Sequence, residues 1–142
     1  MFRVTKELAF CFGHRLMHYN GKCRQLHGHN ARAVVTVAAT ELDDLGMVAD
    51  FSALRRHIGD WIDRTLDHKL LLHRNDPLVA ILRAAGEPVV AMDVHPTTEN
   101  IAKFICDWVE AEGYPVVEVT MWETPSSYAT YRVPSSEFRV PS

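Results

Sequence analysis

Two alternating stretches near the start of the chain constrain its fold more than any other feature. From Phe2 to Phe12 the apolar residues fall mainly on even positions, which predicts a strand with one buried face. The stretch from His27 to Thr40 is rich in Val, Thr and Ala and predicts a second long strand. Between them, Arg15 to Leu26 contains Asn20-Gly21 and has no sustained period, which predicts a loop. We therefore expect the two strands to pair.

Helical spacing of apolar residues predicts two amphipathic helices further along the chain. The first spans Ser52 to Leu66. The second begins at Pro96-Thr97-Thr98-Glu99, where a hydroxyl cap is followed by an acid, and it ends near Gly113. A short helix from Pro77 to Ala85 and an extended piece from Pro88 to Val94 are expected between the two.

Two further strands complete the predicted order of elements. They span Val116 to Glu123 and Tyr128 to Val133, and Pro134 to Ser142 is expected to be a frayed end. The main order of strand, strand, helix, helix, strand, strand favours an α+β domain with helices on one face of an antiparallel sheet. Because the chain has 142 residues, we expect residues 1–142 to form a single domain.

The amino-acid composition limits the classes of protein to which this chain can belong. Hydrophobic residues make up 47% and charged residues 23%, a balance typical of a globular protein with a core. The formal charge of -3 gives no electrostatic reason to expect nucleic-acid binding. No segment has the apolar run of a membrane span or a signal peptide, so we expect a cytoplasmic protein without a membrane partner. Three cysteines without an export signal are expected to stay reduced.

Three of the eight histidines indicate a metal site. His27 and His29 are two residues apart on a predicted strand, so their side chains share a face. An antiparallel pairing would bring His14, just past the first strand, beside them. Three imidazoles with a fourth position open are typical of a catalytic zinc site. His18 is a competing third ligand, if a helix joined it to His14.

Cys23 has two possible roles beside this cluster. It is either a fourth zinc ligand in a closed structural site, or a thiolate held near the metal as base or nucleophile. The other cysteines, Cys11 and Cys106, lie in a predicted strand and a predicted helix and are expected to fill core space.

Two carboxylates are further candidates. Asp67 directly precedes His68, and a carboxylate beside an imidazole can orient it for proton transfer, although a helix-terminal histidine is the alternative. Glu123, at the end of an apolar strand, could accept paired N–H donors from a guanidine-like ring edge, or could be an exposed strand end.

Several short motifs then occur in one order along nearly the whole chain. They are Phe10-Cys11-Phe12-Gly13-His14-Arg15-Leu16, Cys23-Arg24-Gln25-Leu26-His27-Gly28-His29, Gly46-Met47-Val48-Ala49-Asp50-Phe51, Leu66-Asp67-His68, Pro96-Thr97-Thr98-Glu99-Asn100 and Glu123-Thr124. Together they resemble the 6-pyruvoyltetrahydropterin synthase family. The three residues between Cys23 and His27 resemble the 6-carboxytetrahydropterin synthase branch, which acts in the queuosine pathway.

The resemblance implies a T-fold, in which a four-stranded antiparallel sheet carries two helices on one face. Subunits of the family assemble side by side into a barrel, here a hexamer or a tetramer, with active sites between subunits. The implied cofactor is Zn²⁺, held by His14, His27 and His29.

The resemblance also implies a substrate and a set of roles. The substrate is 7,8-dihydroneopterin triphosphate, converted to 6-carboxytetrahydropterin, acetaldehyde and triphosphate. The catalytic set corresponds to Cys23, Asp67 and His68. The pterin ring is held by Glu123, aided by Thr97, Thr98 and Glu99.

Other functions remain open from the sequence. Within the family they are the pyruvoyl-forming synthase and a side activity that removes the substrate side chain by retro-aldol cleavage. The presence of Cys23 argues against the retro-aldol activity. Outside the family they are a pterin-binding or zinc-binding module without turnover, and a hydrolytic metalloenzyme. The last lacks a His-Glu-x-x-His helix.

Overall fold

The computed structural model describes residues 1–134, so of the expected frayed end only Pro134 is described and residues 135–142 lie outside. The strands are β1 (Phe2–His14), β2 (His27–Ala39), β3 (Lys69–His73), β4 (Val89–Met92), β5 (Val116–Thr124) and β6 (Ser127–Arg132). The helices are α1 (Phe51–Thr65), α2 (Leu78–Ala84) and α3 (Thr98–Ala111), and a short 3-10 helix covers Lys22–Arg24.

Strands β1 and β2 form a long antiparallel pair, which confirms the expected pairing. The register runs without a break from Phe2 opposite Ala39 to His14 opposite His27. Alternate residues of both strands are buried, as the period of two requires, and on β2 the side chains of Val35 and Val37 are wholly inaccessible. The inward face of the hairpin therefore forms one side of the hydrophobic core.

The sheet has six strands rather than the expected four, in the order β4-β3-β1-β2-β5-β6. The antiparallel strands β1, β2, β5 and β6 match the prediction, but β3 runs parallel to the end of β1 and β4 runs parallel to β3. Sequence reasoning missed β3 because Leu71 and Leu72 are both fully buried, so this short strand shows no alternation. Strand β4 and helix α2 lie within the extended piece and the short helix predicted there.

Helices α1 and α3 cover one face of the sheet, as expected. Helix α1 begins after Asp50, whose carboxylate accepts a hydrogen bond from Ser52 N at 2.8 Å. Helix α3 begins after Thr97, whose hydroxyl accepts from Asn100 N at 3.2 Å. Both bury an apolar stripe in one core cluster with the inward side chains of β1, β2 and β5. Within residues 1–134, no helix is both long enough and apolar enough to cross a membrane.

Each end of the antiparallel part of the sheet has an edge that lacks a strand partner in the described part of the chain. On β1, strand β3 pairs only with Phe12–His14, so no strand pairs with residues 2–10 of β1 on the side away from β2. Strand β6 is the last strand at the other end of the sheet. Such edges favour pairing with another chain.

Truncation at the centre of the helix–sheet interface tests this packing. Leu54 of α1 is completely buried, so Leu54→Ala should lower the free energy of unfolding by about 2–5 kcal/mol, through lost burial and a residual cavity. Urea unfolding measures the change. The matched control is Leu45→Ala, because Leu45 is 79% exposed and its truncation should change stability by less than about 0.5 kcal/mol. Equal losses in the two variants would contradict the assigned core.

Candidate functional site

Three imidazoles converge where the β1–β2 hairpin meets its loop. His14 lies directly opposite His27, and His29 lies opposite Phe12, two pairs further along. The ring centroids are 4.6 Å apart for His14 and His27, 5.1 Å for His14 and His29, and 4.9 Å for His27 and His29. Because a strand places alternate residues on one face, the register itself brings these rings together.

Backbone carbonyls hold two of these rings in a defined tautomer. His14 Nδ1 lies 2.7 Å from the carbonyl oxygen of Pro96, and His27 Nδ1 lies 2.7 Å from that of Gln25. A carbonyl can only accept, so each neutral ring carries its proton on Nδ1 and leaves Nε2 with a free lone pair. This is the protonation pattern of metal-binding histidines.

Two nitrogens of the cluster are buried without a hydrogen-bond partner in the described residues, His14 Nε2 and His29 Nε2. A buried polar atom without a partner costs free energy unless a ligand satisfies it. The donor set of three imidazoles therefore fits a metal ion, and nitrogen donors with one further position suit Zn²⁺.

Glu123, at the end of β5, joins the imidazoles. Its Oε1 lies 2.7 Å from His29 Nε2, outside hydrogen-bond geometry, and 3.8 Å from His14 Nε2. The hydroxyl of Thr98 donates a hydrogen bond to Oε2. One donor atom from each histidine and from Glu123 lie within 4.8 Å of one another, a carboxylate contact that sequence reasoning did not anticipate.

Burial keeps two of the imidazoles, those of His14 and His29, neutral. Desolvation lowers the pKa of His14, although its hydrogen bond to the Pro96 carbonyl acts in the opposite direction. Desolvation also lowers the pKa of His29, against the attraction of the Glu123 carboxylate. Both rings are thus neutral at pH 7, which is the form that binds a metal.

The chain after His14 is anchored by a buried ion pair that the sequence did not reveal. Arg15 Nε donates to Asp76 Oδ2 at 2.7 Å, and the Asp76 side chain is almost inaccessible. Hydrogen bonds from the Arg15 guanidinium hold the pKa of Asp76 below its usual range, and the Leu78 N–H acts in the same direction, whereas burial opposes them. The local sequence pattern does not indicate this ion pair, because the two residues lie far apart in sequence.

A second group of polar side chains lies between α1 and β3. Asp67 Oδ2 is 2.9 Å from His68 Nδ1, and Asp67 Oδ1 accepts from Cys11 N at 3.0 Å. Burial opposes ionisation of Asp67, but the hydrogen bonds from Cys11 N and His68 outweigh it and hold the pKa of Asp67 below its ordinary value. The carboxylate therefore stays charged and orients the imidazole.

The backbone of His68 is unusual. Its φ of 58° makes it the one non-glycine residue with a left-handed backbone in the range 1–134. Its N–H donates to the Cys11 carbonyl at 2.7 Å, which ties this conformation to β1. The ring projects outward, and 78% of its side chain is exposed.

The expectation that Cys11 fills the core is wrong. Cys11 is only partly buried, and its Sγ lies 3.5 Å from both ring nitrogens of His68. The signal was present in the sequence, since Cys11 falls on an odd position of β1, opposite in face to the buried Phe10 and Phe12. The corresponding expectation for Cys106 is confirmed, because this residue is buried in the core.

One pocket of about 480 Å³ touches residues of both groups, with Cys11 and His68 on one side and His27 and His29 on the other. The residues that line the pocket include Gly13 and Gly28, which lie opposite each other on β1 and β2. A Cβ at Gly13 would lie 2.7 Å from Leu70 Cδ2, so a side chain there would collide with the pocket wall.

The remaining predicted site residues lie as follows. Cys23 is half-buried in the short 3-10 helix and belongs to neither group of clustered side chains within residues 1–134. His18 lies outside the imidazole cluster, with its ring 6.2 Å from that of His95. Thr97 caps α3, and Glu99 is exposed in its first turn.

Comparisons with known proteins identify relatives over nearly the whole chain. A family model described as 6-pyruvoyl tetrahydropterin synthase matches residues 3–134. A 6-carboxy-5,6,7,8-tetrahydropterin synthase of Rickettsia bellii is 33% identical over 90% of this chain and 98% of its own length. A protein of the same name from Synechocystis is 37% identical over 94% of this chain and 95% of its own.

Solved structures show the same fold. An uncharacterized protein from Wolinella succinogenes superposes with a TM-score of 0.78 at 27% identity, over 92% of this chain and 97% of its own. The 6-pyruvoyl tetrahydropterin synthase of Caenorhabditis elegans superposes with a TM-score of 0.67 at 26% identity, over 94% and 97% of the two chains. These similarities confirm the expected α+β T-fold, with the two short parallel strands as an addition.

Removal of one imidazole tests the metal centre. We expect wild-type protein to carry about one zinc ion per chain, in keeping with one four-coordinate site. His29→Ala should lose most of it, since two imidazoles remain. Elemental analysis after dialysis measures the content. The control His18→Ala removes an exposed imidazole outside the cluster and should retain zinc. Retention by His29→Ala, or loss by His18→Ala, would contradict the assignment.

Proposed function

The chain belongs to the 6-pyruvoyl tetrahydropterin synthase family, and from this premise we propose that it is a zinc-dependent 6-carboxy-5,6,7,8-tetrahydropterin synthase of queuosine biosynthesis. The proposed reaction converts 7,8-dihydroneopterin triphosphate to 6-carboxytetrahydropterin, acetaldehyde and triphosphate. The curated relatives from Rickettsia bellii and Synechocystis bear the name of that synthase. The observation that carries the proposal is the set of three converging imidazoles, of which His14 and His29 have a buried Nε2 without a hydrogen-bond partner in the described residues.

The proposed metal ligands are His14, His27 and His29. When bound, zinc supplies Lewis-acid polarisation of the hydroxyl oxygens on the substrate side chain, which makes the neighbouring C–H protons easier to remove. The carbonyls of Pro96 and Gln25 hold His14 and His27 in the metal-binding tautomer before any ligand arrives. The site is thus preorganised by the backbone.

The proposed proton-transfer residue is His68. Asp67 accepts from Nδ1, which leaves Nε2 free to take a proton from the substrate carbon and return it during rearrangement. Because 78% of the His68 side chain is exposed, the ring is available to a substrate on the outside of its own subunit.

Cys23 is the proposed thiol partner in proton transfer. Within the described residues it is not among the side chains that cluster with Asp67 and His68. We therefore assign Cys23 and the Asp67–His68 pair of each active site to different subunits, with the substrate between them.

Glu123 is proposed to hold the pterin ring. Its carboxylate would accept the paired N–H donors of the ring edge, and the hydroxyl of Thr98 already orients one of its oxygens. Thr97 and Glu99 belong to the same helix start. These residues position the reacting carbons and perform no bond chemistry themselves.

Assembly of several chains is part of the proposal. Within residues 1–134, no strand pairs with residues 2–10 of β1 on the side away from β2 or with the outer edge of β6, and these two edges lie at opposite ends of the antiparallel region. Edge-to-edge pairing of neighbouring copies would satisfy both and close the sheets into a barrel, as a hexamer or a tetramer in the cytoplasm.

Product analysis tests the reaction. Purified protein incubated with 7,8-dihydroneopterin triphosphate should release acetaldehyde and a carboxypterin, identified by mass. A pyruvoyl product would instead favour the second candidate, the activity named for the Caenorhabditis elegans relative. If no product forms, the protein would instead be a binding module without turnover.

The matched variant in this assay is Cys23→Ala. We expect it to lose turnover while still carrying about one zinc per chain, because three imidazoles complete the protein ligands. Loss of zinc together with turnover would identify Cys23 as a ligand and contradict its role in proton transfer.

Light scattering after size exclusion tests assembly. The solution mass should be several times the 16.1 kDa of one chain, because open strand edges favour association. A concentration-independent mass of one chain would contradict both the barrel and active sites shared between subunits.

A further inference from the structure

Cys11, Asp67 and His68 form a second cluster of potential ligands, separate from the three imidazoles. One donor atom from each lies within 4.8 Å of the other two. We propose that this cluster is a second site for a thiophilic divalent cation such as Zn²⁺, which fills after the triple-histidine site and removes His68 from proton transfer. The inhibitory consequence rests on the proposed function; the binding does not.

The spacing of sulfur and nitrogen fits one shared ion. Cys11 Sγ lies 3.5 Å from His68 Nε2. Two ligands of a tetrahedral zinc ion, with bonds of about 2.3 Å to sulfur and 2.0 Å to nitrogen, are themselves about 3.5 Å apart. Sγ lies equally far from His68 Nδ1, so the Cys11 side chain must turn toward Nε2 to share an ion, while the hydrogen bond to Asp67 keeps the ring in place. The 78% exposure of the His68 side chain gives the ion an entry path.

Asp67 supplies the orienting carboxylate of such a site. Its Oδ2 accepts from His68 Nδ1 at 2.9 Å, which directs Nε2 to an ion. Its Oδ1 is fixed by the Cys11 N–H at 3.0 Å. A carboxylate behind a metal-binding imidazole raises the basicity of the ring and attracts the cation. The backbone of Cys11 thus positions the carboxylate, while its side chain offers the sulfur.

Ion binding at this cluster displaces one proton. The Cys11 thiol releases its proton to the buffer as the sulfur–metal bond forms, so binding strengthens as pH rises. Sulfur and imidazole ligands select soft or borderline ions over Mg²⁺ and Ca²⁺. With two protein ligands and an orienting carboxylate, the cluster holds fewer donors than the triple-histidine site, and it should therefore be the weaker of the two.

Cobalt absorption tests the site directly. Titration of Co²⁺ into the zinc-loaded full-length protein should produce a thiolate-to-cobalt charge-transfer band in the near ultraviolet, which imidazole ligands alone do not give. Cys11→Ser should abolish the band while one zinc per chain remains bound, and the retained zinc also shows that the variant folds. Cys23→Ser is the matched control and should retain the band.

Several outcomes would overturn the site. They are absence of the band at excess Co²⁺, its persistence in Cys11→Ser, and its loss in Cys23→Ser alone, which would place the thiolate ligand at residue 23.

A second readout addresses the inhibitory consequence. Zinc added beyond one ion per chain should lower turnover of the wild type and leave the turnover of Cys11→Ser, relative to its own zinc-matched baseline, unaffected. Equal inhibition of both would refute inhibition through this cluster. Absence of any turnover, with the cobalt band present, would reject the proposed function and leave the metal site standing.

Discussion

The register of the β1–β2 hairpin is the constraint on which the site depends. It places His14 opposite His27 and His29 on the same face, so the imidazoles meet without any help from loop conformation. A slip of one residue would turn His27 and His29 to the other face of the sheet. The register is held by the buried alternate residues of both strands, for which a slip would expose Val35 and Val37 to solvent. Core packing and ligand geometry are therefore specified by the same alternation.

Burial and polarity are balanced differently at the two polar clusters. The imidazoles of His14 and His29 are desolvated, and their unpartnered nitrogens are a local cost that a cation relieves. Asp67 instead keeps its charge because backbone and imidazole N–H groups surround it. The first cluster has a donor set of imidazoles that fits a cation, whereas the second holds a charged carboxylate next to an exposed ring. This contrast explains how two groups of similar residues, close to one pocket, can have different tasks.

The sequence was sufficient to predict the elements whose periodicity is long. The hairpin, α1 and α3 follow from repeated apolar positions, and the imidazole cluster follows from strand alternation. The sequence was insufficient to predict β3, because its adjacent buried leucines show no periodicity. It was also insufficient to predict the ion pair of Arg15 and Asp76, because only the tertiary fold brings these two residues together. Cys11 was misassigned although its odd position already separated it from Phe10 and Phe12. The contact of Glu123 with the imidazoles required the position of β5 beside β2, which no local pattern specifies.

The left-handed backbone at His68 sets stability against activity at a single position. A non-glycine residue in this conformation carries a strain of about 1–3 kcal/mol, which glycine would relieve. Selection for thermal tolerance alone would thus tend to replace the imidazole, which links the outward surface to the Asp67 carboxylate. A histidine at this position therefore lowers folding stability while it supplies the imidazole that the proposed proton transfer needs.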